Sequence, residues 1–257
     1  MMPAHWDMTP VKGGSGNAFS GKSDEERVFI KKNGSPFLAS IYLEGITPKV
    51  LWTKRTAEGD TLSAQPWIDG HTLSSEDMED TQINHVLAHL HGSKKLVESY
   101  KKLGSQVISP EQLLEDCVKN TEALQTNHFL SQIIEEMRQQ IPTLQEEEVV
   151  VVHGDVNHKN WLVDDKTGKI YLVDWDTVFL SDAMVDMAHV LSHYIKPEKW
   201  SLWLMTSGVR PHSELMKKVA WYGKLSFLRQ IAEYLSRKKM KEVNQEILGL
   251  RQFCKIF

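Results

Sequence analysis

The stretch VVHGDVNHKNWLV, which runs from Val151 to Val163, contains the residues that decide the fold and the chemistry of this chain. Its apolar run ends at His-Gly-Asp, and Asp155 is followed five residues later by Asn160. Fourteen residues beyond Asn160, a second apolar run ends in VDWD and carries Asp174. Mg²⁺ is usually bound by one or two carboxylates together with phosphate oxygens and water. The pattern therefore predicts a proton-accepting carboxylate at Asp155 and a Mg²⁺ site at Asn160 and Asp174.

The spacing of these residues is H-x-D-x-x-x-x-N, which is the spacing of the kinase catalytic loop. In that loop the aspartate accepts the proton of the attacking hydroxyl, and the asparagine and a later aspartate hold the metal. Asp-x4-Asn alone is usually a turn, and VDWD alone is usually the end of a strand. The two together, after an apolar strand and with a hairpin between them, favour phosphoryl transfer. Asp176 is a further candidate to bind or orient a ligand.

The composition is that of an ordinary globular protein and disfavours several functional classes. The chain has 257 residues, of which 41% are hydrophobic and 25% charged, and its net charge is −4. This charge disfavours nucleic acid held by bulk electrostatics. The two cysteines, Cys117 and Cys254, have no spacing that suggests a disulfide framework or a zinc site. Because no secretory signal or membrane span is expected, we predict a cytoplasmic monomer that binds neither nucleic acid nor membrane directly.

The segment GNAFSGKS, Gly16 to Ser23, matches the P-loop pattern G-x-x-x-x-G-K-[ST]. A P-loop needs a buried strand before it and a helix after it, so that loop amides and the helix N-terminus converge on phosphate. Here Pro10 interrupts a polar segment upstream, and Gly34 and Pro36 leave little room for a helix downstream. IYLVD (170–174) could serve as the metal-binding strand of a P-loop enzyme, but the flanking context does not support the motif.

A glycine-rich turn between two strands is the interpretation that we favour for this segment, with a flexible surface turn as the alternative. VFIK, Val28 to Lys31, is typical of a strand because it is rich in β-branched and aromatic residues. In protein kinases a glycine-rich loop covers the phosphates, and a strand lysine follows it. Lys31 is therefore the lysine predicted to contact the phosphates, and Lys32 is the alternative. The predicted nucleotide loop consists of Gly13, Gly14, Ser15 and Gly16.

The pattern of the chain changes near residues 65–70, where turn residues interrupt it. Short strand-like runs precede this seam, and apolar residues at helical spacing follow it. A hairpin is expected with its turn at residues 164–168. We predict a β-rich N-lobe at residues 1–67 that holds the nucleotide, and a larger, mainly helical C-lobe at 68–257 that holds the catalytic loop, the metal and the acceptor. Pro66 and Trp67, at the seam, are predicted to contact the nucleotide.

Four motifs resemble those of the aminoglycoside phosphotransferase and choline kinase family. His153 to Asn160 match H-G-D-x-x-x-x-N, and Val173 to Asp176 match [IV]-D-W-[DE]. The family's D-[LM]-A is matched by residues 186–188, and its L-H at the end of a helix is matched by residues 90–91. The resemblance covers nearly the whole chain. It implies an α+β, two-lobed protein-kinase-like fold that uses ATP and Mg²⁺ to phosphorylate a hydroxyl of a small molecule.

The resemblance also implies a role for each matched residue. Asp155 is the catalytic base, and His153 orients its loop. Asn160 and Asp174 bind Mg²⁺, and Asp186 braces the catalytic loop. Position in the sequence, beside or between these residues, gives four candidates for contact with the acceptor: Asn157, His158, Trp175 and Asp176.

The acidic partner of the strand lysine departs from the family pattern. Related enzymes usually pair this lysine with a glutamate on the small-lobe helix. Here the chain continues as SPFLA (35–39), and Glu44 stands just before Gly45 rather than at the expected place. The partner of Lys31, and the choice between Lys31 and Lys32, therefore stay open on the sequence alone.

The stretches PVKGGSGNAF, QPWIDGHTL and VHGDVNHKNWLVD resemble bacterial cell-cycle regulators within this family. That resemblance implies a sugar acceptor such as ribose or 2-deoxyribose and a role in the control of DNA replication initiation. It also implies cell-division or replication-initiation proteins as partners. The alternative is a nucleotide-binding regulatory module that acts through such partners, with catalysis secondary. Because a module that only binds has no need of a catalytic base, Asp155 favours the enzyme.

Overall fold

The computed structural model describes residues 7–11, 16–22, 26–119 and 121–257. The contacts within the chain divide it into two compact units, Met1–Leu73 with Lys159–Val178, and Ser74–His158 with Phe179–Phe257. The N-terminal region contains an antiparallel sheet and the C-terminal region is helical, as the sequence pattern predicts. The predicted lobes, 1–67 and 68–257, and the functions assigned to them stay a prediction.

A five-stranded antiparallel sheet, in the order β1-β2-β3-β5-β4, forms most of the first unit. Its strands are β1 (Asp7–Pro10), β2 (Ala18–Lys22), β3 (Arg27–Lys32), β4 (Trp52–Arg55) and β5 (Thr61–Pro66), with helix α1 (Leu38–Leu43) between β3 and β4. Val28 and Ile30 of β3 pack against Ala64 in the core of this sheet. Because side chains alternate along a strand, Lys31 and Lys32 project from opposite faces.

The P-loop-like segment is one arm of a β-hairpin. Gly21 and Lys22 belong to β2 and are in register with Val28 and Arg27 of β3. Only residues 23–26 separate the two strands, which leaves no room for the helix that a P-loop requires. The secondary structure around this segment therefore argues against a P-loop, although the sequence pattern matches one.

The predicted nucleotide loop is described only in part. Gly13, Gly14 and Ser15 lie outside the described residues, as does Ser23 of the P-loop-like segment. Gly16 is described and has a φ of 80°, a conformation that glycine adopts without steric cost. The assignment of this loop to the nucleotide stays a prediction.

A second antiparallel sheet in the first unit holds two of the predicted metal ligands near each other. It consists of β6 (Gly70–Thr72), β8 (Trp161–Asp164) and β9 (Ile170–Leu172), in the order β6-β8-β9. Asn160 precedes β8 and Asp174 follows β9, so the antiparallel pairing of Trp161 with Leu172 brings both residues to the same end of the hairpin. Gly70 is required on the neighbouring strand, because a Cβ there would stand 1.8 Å from the Val163 carbonyl oxygen.

The second unit is mainly helical. Its two strands, β7 (Val149–Val152) and β10 (Phe179–Asp182), pair antiparallel. Its helices are α2 (Thr81–Gly92), α3 (Lys94–Lys102), α4 (Pro110–Lys119), α5 (Glu122–Thr126), α6 (His128–Gln139), α7 (Met184–Tyr194), α8 (Trp200–Thr206), α9 (Ser213–Ser236) and α10 (Met240–Phe253). Among the residues described, no helix is both long enough and apolar enough to cross a membrane.

Helices α9 and α10 approach each other closely at two glycines. A Cβ on Gly223 of α9 would stand 2.2 Å from Cζ of Phe253, whose ring is buried. A Cβ on Gly249 of α10 would stand 2.8 Å from Cε1 of Phe227. Aromatic rings therefore occupy the space that a side chain on either glycine would need.

We predict that Gly223→Ala destabilises the protein although alanine favours helix. Overpacking of a core costs about 1–3 kcal/mol, and helix propensity returns at most about 1 kcal/mol. Denaturant unfolding measures the change in the free energy of unfolding. Gly92→Ala in α2 is the matched control, because a Cβ there meets nothing within 4 Å. Equal stability of the two variants would contradict the packing argument.

Candidate active site

Lys31 bridges the two carboxylates that follow β9. Its Nζ donates to Oδ1 of Asp174 at 2.5 Å and lies 2.8 Å from Oδ2 of Asp176. The Lys31 side chain is 12% exposed, whereas Lys32 is 39% exposed and pairs with Asp60 at 2.6 Å. The structure therefore places Lys31, and not Lys32, beside the predicted metal ligand.

Asp174 has an unusual backbone conformation. Its φ of 66° and ψ of 66° lie in the left-handed region, which costs energy for any residue other than glycine. A 3-10 turn at Trp175–Thr177 follows it, and Nε1 of the buried Trp175 donates to the Leu172 carbonyl oxygen at 2.9 Å. The tryptophan thus anchors the turn that presents Asp174 and Asp176. Strained residues of this kind cluster at functional sites.

Asn160 lies at the same end of the hairpin as these carboxylates. Its backbone carbonyl oxygen accepts from the Val173 N–H at 2.9 Å, which fixes its main chain next to the residue before Asp174. The ammonium of Lys31 between Asp174 and Asp176 shows that both carboxylates converge on one cation. No group of three or more His, Cys, Asp or Glu side chains suited to a metal occurs among the described residues. Two carboxylates and an amide suit an ion that is also held by phosphate oxygens.

The catalytic loop of the second unit is held by the buried carboxylate of Asp186. The N–H of His153 donates to Oδ2 of Asp186 at 2.8 Å, and the N–H of Gly154 donates to Oδ1 at 2.9 Å. Gly154 has a φ of 81°, and its carbonyl oxygen accepts from Nη2 of Arg229 at 3.2 Å. The peptide groups just before Asp155 are therefore fixed from both sides.

Asp186 keeps its negative charge although it is only 1% exposed. Burial by itself raises the pKa of this carboxyl. The hydrogen bond from His91, whose Nε2 lies 3.0 Å from Oδ2, lowers the pKa. The charges of His91 and His153 and the hydrogen bond from the Gly154 amide lower it further, and these effects together outweigh burial. The net result is a pKa below the ordinary value, so Asp186 is ionised at neutral pH.

Asp155 lies between two residues of its own loop. Its N–H donates to Nδ1 of His153 at 3.2 Å, and its Oδ1 accepts from Nδ2 of Asn157 at 2.6 Å. His153 is fully buried and therefore contacts the loop backbone rather than solvent. This position suits the predicted orienting role of His153, and Asn157 holds one oxygen of the candidate base.

The remaining predicted residues have other surroundings. The N–H of His158 donates to the Tyr194 hydroxyl at 3.2 Å. Trp175 is 2% exposed, so it supports the turn from within. Pro66 ends β5, and Trp67 lies under the Arg27 guanidinium at 3.6 Å from its ring centroid. No described contact tests the predicted nucleotide contacts of Pro66 and Trp67.

Tyr194 and Arg229 are residues that the sequence analysis did not single out. Both lie on helices, α7 and α9, outside the catalytic motif. Their side chains contact this loop by hydrogen bonds across 36 and 75 positions of sequence, respectively, within the second unit. A weak signal was available for Tyr194, which follows the D-M-A motif on the same helix.

We predict that Lys31→Ala raises the KM for ATP at least about tenfold, because a charged hydrogen bond contributes about 1.5–3 kcal/mol. Lys32→Ala, one residue further along β3, and Lys22→Ala, in the P-loop-like segment, are the matched controls and should leave the KM for ATP within about twofold. Steady-state kinetics measures all three. A large effect of Lys22→Ala with none of Lys31→Ala would instead support the P-loop interpretation.

We predict that Asp186→Asn destabilises the protein by about 3 kcal/mol at neutral pH, because it breaks a buried charge network. A carboxyl with a lowered folded-state pKa stabilises above its unfolded-state pKa, and this stabilisation is lost as the pH falls through the folded-state value. The difference from wild type should therefore shrink below about pH 4. Unfolding at several pH values measures it, with the exposed Asp69→Asn as control. A difference that does not change with pH would contradict the charged state of Asp186.

Comparison with known proteins identifies the family. The model of the phosphotransferase enzyme family matches residues 36–222, which is more than half of the chain. The structure of choline kinase LicA from Streptococcus pneumoniae is similar, with a TM-score of 0.70, 14% identity, and coverage of 96% of this chain and 93% of that chain.

Two further solved structures share the fold. A choline/ethanolamine kinase family protein from Mesorhizobium loti has a TM-score of 0.68 and 13% identity, over 96% of this chain and 87% of that chain. Spectinomycin phosphotransferase, in complex with ADP and spectinomycin, has a TM-score of 0.60 and 17% identity, over 98% and 89%. These likenesses confirm the predicted α+β, protein-kinase-like fold. With the catalytic-loop motif and the family match together, the chain belongs to the phosphotransferase enzyme family.

Proposed function

We propose that this protein transfers the γ-phosphoryl group of ATP to a hydroxyl group of a small molecule, with Asp155 as the base. The observation that carries the proposal is the pair of carboxylates, Asp174 and Asp176, which both contact the ammonium group of the strand lysine, Lys31. Phosphoryl transfer depends on positioning and on neutralising phosphate charge, and this group suits both tasks.

The proton in this reaction goes to Asp155. The acceptor oxygen forms a bond to the γ-phosphorus while the bond from that phosphorus to the β–γ bridging oxygen breaks. ADP leaves with the electron pair of the broken bond, and the hydroxyl proton passes to the carboxylate of Asp155. Asn157 supports this step because it holds Oδ1 of Asp155 at 2.6 Å. Asp186 supports it by fixing the preceding peptide groups.

The phosphate side of the reaction belongs to the first unit. Lys31 would pair with phosphate oxygens of the nucleotide, and Asn160 and Asp174 would hold Mg²⁺, with Asp176 beside them. Bound Mg²⁺ supplies neutralisation of the negative charge on the β- and γ-phosphates. The ADP in the structure of spectinomycin phosphotransferase supports a nucleotide as the donor for this fold.

The proposed acceptor is a sugar such as ribose or 2-deoxyribose, and the proposed cellular role is control of DNA replication initiation. Both points rest on the resemblance of three stretches of this sequence to bacterial cell-cycle regulators. Asn157, His158, Trp175 and Asp176 are the residues that the sequence places nearest to the reacting groups. The competing role, a nucleotide-binding regulatory module, differs in not requiring turnover.

We predict that Asp155→Asn lowers kcat by about 10²–10⁴-fold and leaves ATP binding intact, because it removes the general base without touching the phosphate ligands. ADP release is measured with ribose, 2-deoxyribose, glucose, choline, spectinomycin and no acceptor. Asp165→Asn, an exposed carboxylate in the β8–β9 turn, is the control and should behave as wild type.

Unchanged acceptor-dependent turnover in Asp155→Asn would contradict the role of Asp155 as the general base. Wild-type protein that binds ATP but turns over no acceptor would favour the regulatory module. Partner capture by Asp155→Asn, with cellular function retained, would favour it as well.

A further inference from the structure

The ammonium group of Lys31 has two acidic neighbours, and both come from the turn after β9. Its Nζ donates to Oδ1 of Asp174 at 2.5 Å and lies 2.8 Å from Oδ2 of Asp176. Helix α1, all of whose residues are described, contains no acidic side chain, and Glu44 is its C-cap. The acidic partner that the sequence leaves open therefore comes from this turn.

Packing holds the aliphatic part of the Lys31 side chain. The side chain is only 12% exposed, and a Cβ on Gly34 would stand 3.3 Å from its Cδ. The stem therefore runs close over Gly34. An ammonium group removed from water needs a negatively charged partner, because leaving it unpaired is costly. The place of this ammonium group thus depends on the carboxylates that remain available to it.

The two carboxylates differ in their position relative to Asn160. Asp174 directly follows Val173, whose N–H donates to the backbone carbonyl oxygen of Asn160 at 2.9 Å. Asp176 lies two residues further along, inside the 3-10 turn at Trp175–Thr177. Asp174 is therefore better placed than Asp176 to share a metal ion with Asn160.

One carboxylate does not suffice for both cations. A metal ion bound to Asp174 would repel the ammonium group of Lys31, since like charges at close range oppose each other. Asp176 offers Lys31 a second carboxylate at hydrogen-bonding distance, presented by the same turn. The side chain of Asp176 is 43% exposed and that of Asp174 is 53% exposed, so solvent reaches both. A metal ion on Asp174 therefore leaves Asp176 as the partner of Lys31.

We propose that Asp176 is a positioning residue, which holds Lys31 in place for the nucleotide phosphates while Asp174 binds the metal with Asn160. An ammonium group donates three hydrogen bonds, so Lys31 can contact Asp176 and phosphate oxygens together. The phosphates and the metal in this assignment rest on the proposed function. The division of work between the two carboxylates goes beyond it, because phosphoryl transfer would equally be served by two metal ligands.

A double-mutant cycle on ADP binding at saturating Mg²⁺, measured by calorimetry, tests the link between Asp176 and Lys31. Lys31→Met removes the charge and keeps a stem over Gly34. It should weaken ADP binding about tenfold in the wild-type background but less than about twofold beside Asp176→Asn, because a misplaced ammonium group contributes little. An effect that is equal or larger beside Asp176→Asn would overturn the proposal.

The ion pair of Lys32 and Asp60 is the matched control, because it lies one residue further along β3 and its atoms are 2.6 Å apart. Lys32→Met and Asp60→Asn should each leave ADP binding within about twofold, as expected for an exposed ion pair. Thermal unfolding of each variant checks that it is folded. Weakening of ADP binding by the control variants to the same extent would show a general charge effect and overturn the role of Asp176.

Metal binding separates a lysine partner from a second metal ligand. Mn²⁺ serves as the probe for Mg²⁺, and electron paramagnetic resonance measures its binding to the protein with ADP. Asp174→Asn should weaken Mn²⁺ binding at least about tenfold more than Asp176→Asn, because the first removes a ligand and the second only a nearby charge. Equal losses in the two variants would make Asp176 a metal ligand and overturn the proposal.

These measurements fail separately from the proposed function. The expected coupling without any acceptor-dependent turnover would overturn phosphoryl transfer and leave the role of Asp176 standing. Turnover together with independent effects of Lys31→Met and Asp176→Asn would overturn the role of Asp176 and leave phosphoryl transfer standing. Wild-type protein that binds no ADP would overturn both.

Discussion

The buried carboxylate of Asp186 is the group on which the geometry of the catalytic loop depends. An ion taken out of water is costly unless other groups compensate it, and here His91 and two backbone amides do so. The same bonds that stabilise the charge also fix the peptides of His153 and Gly154. The position of Asp155 is therefore set in part by a residue outside its own loop.

In the first unit, a positive charge offsets the repulsion between two neighbouring carboxylates. Asp174 and Asp176 approach one cation closely, and two carboxylates this near would repel each other without it. Lys31 supplies that positive charge from β3. The left-handed conformation of Asp174 is the strain that this arrangement requires, and the buried Trp175 holds it in place.

Much of the fold, and the candidate residues of the site, could be predicted because the signals are local; the roles of those residues stay predictions. The strand after the glycines, the β8–β9 hairpin and the spacing from Asp155 to Asn160 are short-range patterns. The sequence argument against the P-loop was local too, since Pro10 interrupts the segment before it and Gly34 and Pro36 follow it closely. The motif spacing also identified the family, and the match over residues 36–222 confirmed it.

The sequence by itself determined which residues are candidates for the chemistry, because motif spacing fixes which groups share a loop or a hairpin. Only the tertiary structure decided what those groups contact. It gave Lys31 its partner Asp174 across 143 positions of sequence, and it brought Arg229 to the carbonyl of Gly154 across 75. Helix and sheet packing sets such long-range contacts. No local pattern encodes them, because they depend on how whole elements pack rather than on the residues beside them.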